Sequence, residues 1–105
     1  MDKKENLVKQ LKIFKETINR EVPVDKLLFF GSFAKGNPHR WSDIDLIIVS
    51  QKFKGKKSYK RARKLYDYWS LDYPVDFLCY TPEEFNKLKK QFTVVREALI
   101  TGIEI

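Results

Sequence analysis

Two short apolar runs, Leu27-Leu28-Phe29-Phe30 and Leu46-Ile47-Ile48-Val49, enclose the segment Gly31-Ser32-Phe33-Ala34-Lys35-Gly36-Asn37-Pro38-His39-Arg40-Trp41-Ser42-Asp43-Ile44-Asp45. Runs of this length and composition form buried strands. The chain must therefore leave one strand, pass through a turn of small residues, and enter a second strand carrying two acids. Residues i and i+2 of a strand project from one face, which sets Asp43 and Asp45 side by side at the entrance of the second strand. Adjacent carboxylates repel each other, and a hard cation between them relieves the repulsion. A Mg²⁺ site is the reading that follows, against the blander one of a solvated turn leading into a strand.

The turn itself suits phosphate. Gly31 admits backbone conformations closed to other residues, Ser32 is placed to begin a helical turn as its N-cap, and the N–H groups of such a turn point at an anion. Lys35 adds a cation and Gly36 ends the segment. A phosphate cradle facing an acidic metal site is what a metal-bound nucleoside triphosphate needs. Cradle alone binds phosphate, and acids alone bind metal. Ser32 acting as a plain cap is compatible with a phosphate contact, and a Lys-rich chain would place a lysine at 35 without any ligand.

Gly31-Ser32, ten residues, then Asp43-x-Asp45 resembles the signature of the polymerase-β-like nucleotidyltransferase superfamily. The fuller text Gly31-Ser32-Phe33-Ala34-Lys35-Gly36, with Ser42-Asp43-Ile44-Asp45-Leu46, is similar to the minimal nucleotidyltransferases of bacteria and archaea. The resemblance implies an α+β, sandwich-like fold with a mixed central sheet flanked by helices. It also implies a third carboxylate on a later strand. Val75-Asp76-Phe77-Leu78-Cys79-Tyr80, opened by Pro74 and closed by Thr81-Pro82, supplies Asp76 within an apolar run. An acid buried there is costly unless paired or metal-bound; the alternative is a strand-edge Asp satisfied by a neighbouring lysine.

The activity so implied is Mg²⁺-dependent transfer of a nucleoside monophosphate, AMP from ATP, to a hydroxyl. Asp43 and Asp45 would hold Mg²⁺ on the triphosphate. Asp76 would help hold a second ion that lowers the pKa of the acceptor hydroxyl. Gly31, Ser32 and Lys35 would take the phosphates, and catalysis would come from position and charge without a protein nucleophile. Free-standing proteins of this kind are often antitoxins paired with a HEPN-type RNase toxin, and transfer AMP to a tyrosine of it. Two other readings stand beside this one: an antitoxin that occludes its partner without chemistry, and a nucleic-acid-modifying transferase.

With 105 residues, 43% hydrophobic and 33% charged, the chain can build one core and not two. A single domain over 1–105 is expected, with no separate domain to grip a base, so base selectivity is weak or comes from a partner. The oligomeric state is not legible. Cys79 is the lone cysteine, which excludes an internal disulfide scaffold; placed on the opposite strand face from Asp76, it reads as a core thiol. No apolar run approaches a membrane span, and no signal-like stretch follows Met1-Asp2-Lys3-Lys4-Glu5. A cytoplasmic location is expected.

Asp2 with Glu5 reads as a capping box, and Leu7, Leu11, Phe14 and Ile18 recur at helical spacing until Val22-Pro23. Residues 51–58 read as a loop, followed by a helix whose inner face is Ala62, Leu65, Tyr66 and Trp69. Thr81-Pro82-Glu83-Glu84 opens a helix with a cap, a proline and acids; Phe85, Leu88, Phe92, Val95 and Leu99 continue it, with a break near Thr93-Val94. Gly102 ends it, and Ile103-Glu104-Ile105 is an edge-strand candidate. The net charge of +7 is concentrated: Lys52, Lys54, Lys56, Lys57, Lys60, Arg61, Arg63 and Lys64 occur with no acid between them. Such a stripe follows phosphates, docks an acidic partner or is a solvated face, and the solvated face is the favoured reading. Phe53 and Tyr59 are equally placed to stack on bases or to anchor the loop. His39 and Arg40 carry no assigned role, and Trp41 is expected to pack the loop.

Overall fold

In a computed structural model, residues 3–36 and 42–105 are described. Asp2 of the expected capping box, and His39, Arg40 and Trp41, lie outside them. The elements are α1 (Lys3–Asn19), β1 (Lys26–Phe30), α2 (Ser32–Lys35), β2 (Ile44–Val49), a 3₁₀ turn (Gln51–Phe53), α3 (Ser58–Arg61), α4 (Arg63–Tyr68), β3 (Val75–Tyr80), α5 (Pro82–Leu88), α6 (Val94–Thr101) and β4 (Ile103–Glu104). The sheet order is β3-β2-β1-β4. β1 runs antiparallel to β2 and to β4, whereas β2 and β3 are parallel. This is the mixed sheet flanked by helices that the motifs imply.

Alternation along the strands builds a core on each face. Leu27 and Phe29, with Ile44, Leu46 and Ile48, meet Leu7, Leu11, Phe14 and Ile18 of α1 and Leu65 of α4. Leu28, Ile47 and Val49 meet Phe85 of α5 and Val95 and Ala98 of α6 on the other side. Leu11, Ile18, Leu27, Phe29 and Leu46 are sealed from water, each contributing about 1.5–3 kcal/mol by burial. On the α1 face Phe14 stacks with Phe77, and Trp69 meets both edge-on; the Trp69 indole N–H donates to the Tyr73 carbonyl.

Several expectations are met in kind and shifted in detail. The Thr81 capping box forms: its hydroxyl accepts from the Glu84 N–H while the Glu84 carboxylate accepts from the Thr81 N–H. The following helix does break, and Phe92, in that break, is 95% exposed rather than internal. Ala62 separates α3 from α4, so of the four inner-face residues only Leu65 is fully buried and Tyr66 is nearly half exposed. The loop after β2 contains a 3₁₀ turn capped by the buried Ser50, and Phe53 anchors it in the core.

Candidate active site

β1 ends and β2 begins at one end of the sheet, and β3 begins beside them. Asp45 lies opposite Phe30 across the antiparallel pair and beside Asp76 across the parallel one. Asp45 alternates with Ile47 and Val49, and Asp76 with Leu78 and Tyr80, so both acids belong to the α5/α6 face. Asp43 stands just ahead of β2, exposed, and Asp45 is half-buried. Asp76 differs from its expected setting: β3 is the sheet edge, so the residue is exposed and pays no burial cost.

Gly31 shows why the turn has its sequence. Its backbone sits at φ 83°, ψ −163°, a region essentially reserved for glycine. A Cβ on Gly31 would stand 2.2 Å from Oδ2 of Asp45, so the carboxylate occupies the space that any side chain would need. The turn and the acid-bearing strand touch at this point. Gly36 closes α2 in the left-handed conformation, its N–H donating to the Phe33 carbonyl at 3.2 Å.

Ser32 is not the cap expected of it. Gly31 occupies the N-cap position without a side-chain hydrogen bond, and Ser32 is the first residue of α2. Its hydroxyl instead donates to the Ser42 Oγ at 3.0 Å, tying the turn to the residue next to Asp43. Sequence spacing does not reveal that latch. Lys35 is only loosely committed: its ammonium lies 3.5 Å from Glu97 of α6, with both side chains well exposed, a pairing worth little in water.

Among the described residues no ion pair forms to Asp43, Asp45 or Asp76. Burial first, and then the negative charges of Asp76 and Asp43, push the Asp45 carboxyl above its ordinary value. Three oxygen-donor acids at one end of one face suit a hard divalent cation. Among the described residues, however, no three His, Cys, Asp or Glu side chains are closed into a metal cage as they stand. The backbone register brings the donors together without drawing their carboxylates into one shell. Cys79 packs against the α1-face core, away from the acids, and burial pushes its thiol up to about 12; it is a core thiol as expected, though partly rather than fully buried.

A mixed sheet with acids grouped at the end where a Gly-Ser turn enters is the arrangement of a nucleotidyl-transferring enzyme. The family model for the nucleotidyltransferase domain matches residues 11–101, and the chain belongs to that family. It is 30% identical over 91 residues to the Haemophilus influenzae protein named "Probable protein adenylyltransferase MntA", covering 84% of this chain and 80% of that one. In fold it is similar to a Sulfolobus solfataricus protein whose crystal structure is described as that of a nucleotidyltransferase, with a TM-score of 0.67 at 20% identity over 96% of this chain and 80% of that one. The BolA domain of SufE1 from Arabidopsis thaliana overlays 70% of this chain and 92% of that one, with a TM-score of 0.51 and 25% identity. No helix among the described residues is long and apolar enough to cross a membrane.

Proposed function

We propose that the chain transfers AMP from ATP to a hydroxyl of a protein, a tyrosine of a HEPN-type RNase toxin, and so acts as an antitoxin. The observation that carries the reading is the contact of the Asp45 carboxylate with Gly31, in register with Asp76. It joins the acids and the Gly-Ser turn into one place. The likeness to a protein named as an adenylyltransferase supports the donor.

Asp43, Asp45 and Asp76 would hold Mg²⁺, which when bound supplies charge neutralisation on the triphosphate and a more acidic acceptor hydroxyl. The chain's own residues account for the rest. The turn from Gly31 presents backbone N–H groups to phosphate oxygens, and the Ser32–Ser42 hydrogen bond holds that turn in place. Lys35, free to leave its exposed partner, reaches the departing pyrophosphate. With these donors fixed beforehand, little reorganisation accompanies reaction.

The test is incubation with α-labelled ATP, GTP, CTP and UTP, each with Mg²⁺ and the candidate toxin. Label from ATP on a toxin tyrosine is expected, and Asp76→Ala should remove it while leaving the fold and partner binding intact. Full protection of cells from the toxin by Asp76→Ala would replace catalysis by occlusion.

A further inference from the structure

At the far end of β2 from the acids, the chain gathers cations around a hollow. β2 spans six residues, roughly 17 Å of strand, and the Lys-rich segment follows directly. A hollow of about 410 Å³ is lined there by Lys52, Lys56, Lys60, Arg61, Arg63 and Lys64, with Glu21 among them. Two of the cations are already committed: Arg61 forks onto Glu84, and Lys64 pairs with Glu21. Lys52, Lys56, Lys60 and Arg63 form no ion pair among the described residues.

Four cations without an ion pair, facing the single acid Glu21 that Lys64 already holds, repel one another around one concavity, and a polyanion relieves that repulsion as a cation does among acids. We propose that this hollow binds the phosphate backbone of single-stranded RNA, at a site separate from the acidic pole. Lysines act as point charges suited to a phosphate chain. Arg63, without an ion pair among the described residues, adds a guanidinium fork that takes phosphate oxygens as well as carboxylates, while the Arg61 fork is engaged by Glu84. Tyr59 on α3 is 67% exposed, with the Lys60 ammonium 5.9 Å from its ring centroid, which sets a stacking face beside the cations. Phe53, the other aromatic of the segment, borders the hollow but is buried and offers no face for stacking. Binding here is independent of which acceptor the acidic pole serves.

The test is fluorescence anisotropy of a labelled oligouridine against the full chain over a range of salt, with polyglutamate as a second probe. Saturable binding is expected at low salt. The triple variant Lys52→Gln, Lys56→Gln, Lys60→Gln should reduce the log–log salt slope by about 2, since each single-strand phosphate contact contributes about 0.7. Tyr59→Ala should weaken binding roughly tenfold with the slope unchanged. Asp43→Asn with Asp45→Asn should bind the strand as wild type does, which separates this site from the catalytic one. Absence of saturable binding, an unchanged slope in a folded triple variant, or tighter binding of polyglutamate than of oligouridine would overturn the proposal, the last in favour of an acidic protein segment. Should the triple variant fail to fold, Lys56→Gln and Lys60→Gln singly must each lower the slope by about 0.7.

Discussion

The acidic pole and the Arg61–Glu84 cluster both place charge against the sheet, and they do so in opposite ways. Arg61 has a side chain only 9% exposed; its guanidinium donates to the Cys79 and Lys56 carbonyls and to both Glu84 oxygens. Every charge there meets its opposite, and the Thr81 capping box is held by the same carboxylate. At the other end Asp45 is surrounded by Asp43 and Asp76 and by the bare backbone of Gly31. Compensated charge there secures a helix start and the outer edge of β3; at the acidic pole no ion pair to the acids forms among the described residues, which is why the proposed function places a cation there. Stability and function are thus read from the same quantity with opposite sign.

The sharpest break in that contrast comes from Gly31→Ala. The substitution meets both a backbone region closed to alanine and the Asp45 carboxylate, and should cost about 3 kcal/mol, measured by urea unfolding, with loss of transfer. Wild-type stability in this variant would mean that Gly31 does not hold its positive-φ backbone. Next comes Arg61→Gln, expected to cost about 2 kcal/mol because it removes the charge-assisted hydrogen bonds of a side chain itself only 9% exposed. Lys60→Gln beside it should stay within about 0.5 kcal/mol. Equal effects of the two would dissolve the distinction between the paired and unpaired cations of the stripe.

A smaller and opposite effect is expected of Asp45→Asn. The folded Asp45 carboxyl titrates above its ordinary value of 3.8, so between those two points the folded chain holds more protons than the unfolded one. Stability falls as pH rises through that window, and the penalty is fully present at neutral pH. Removing the charge should therefore raise stability at pH 7 by roughly 1 kcal/mol or less, the repulsion being screened at a half-exposed group, and the gain should vanish in acid. Glu84 behaves in reverse. The Arg61 hydrogen bonds first, then the Thr81 N–H, hold it below its ordinary 4.5 against a smaller opposing effect of burial, so its contribution is present above 4.5 and lost as pH falls through the folded value. Thermal unfolding across pH should show the two variants, Asp45→Asn and Glu84→Gln, diverging with opposite slopes.

Much of this was legible in the sequence because it is local. The apolar runs around Leu28, Ile47 and Phe77 are strands, the Leu7 to Ile18 spacing is α1, Thr81 caps α5, and Ile103–Glu104 is the edge strand β4. The segment 31–45 contains both Gly31 and Asp45, which the fold brings together. What escaped depends on distant partners. Arg61 looked like one more exposed cation of a charge run, because Glu84, which buries it, comes from another element. Asp76 looked buried because an apolar run does not say whether its strand is central or at the edge. Ser32 looked like a cap, whereas the glycine before it leaves the cap without a side chain and frees the hydroxyl for Ser42. Lys35 gave no hint of Glu97.

If the acids and the Gly-Ser turn act as one metal-dependent nucleotide site, calorimetry of ATP binding will show it. In wild type, ATP should bind much more tightly with Mg²⁺ than with EDTA, and Asp43→Asn with Asp45→Asn should abolish that difference while the chain remains folded. Equal affinity with and without Mg²⁺ in wild type, or an undiminished Mg²⁺ effect in the double variant, would contradict it.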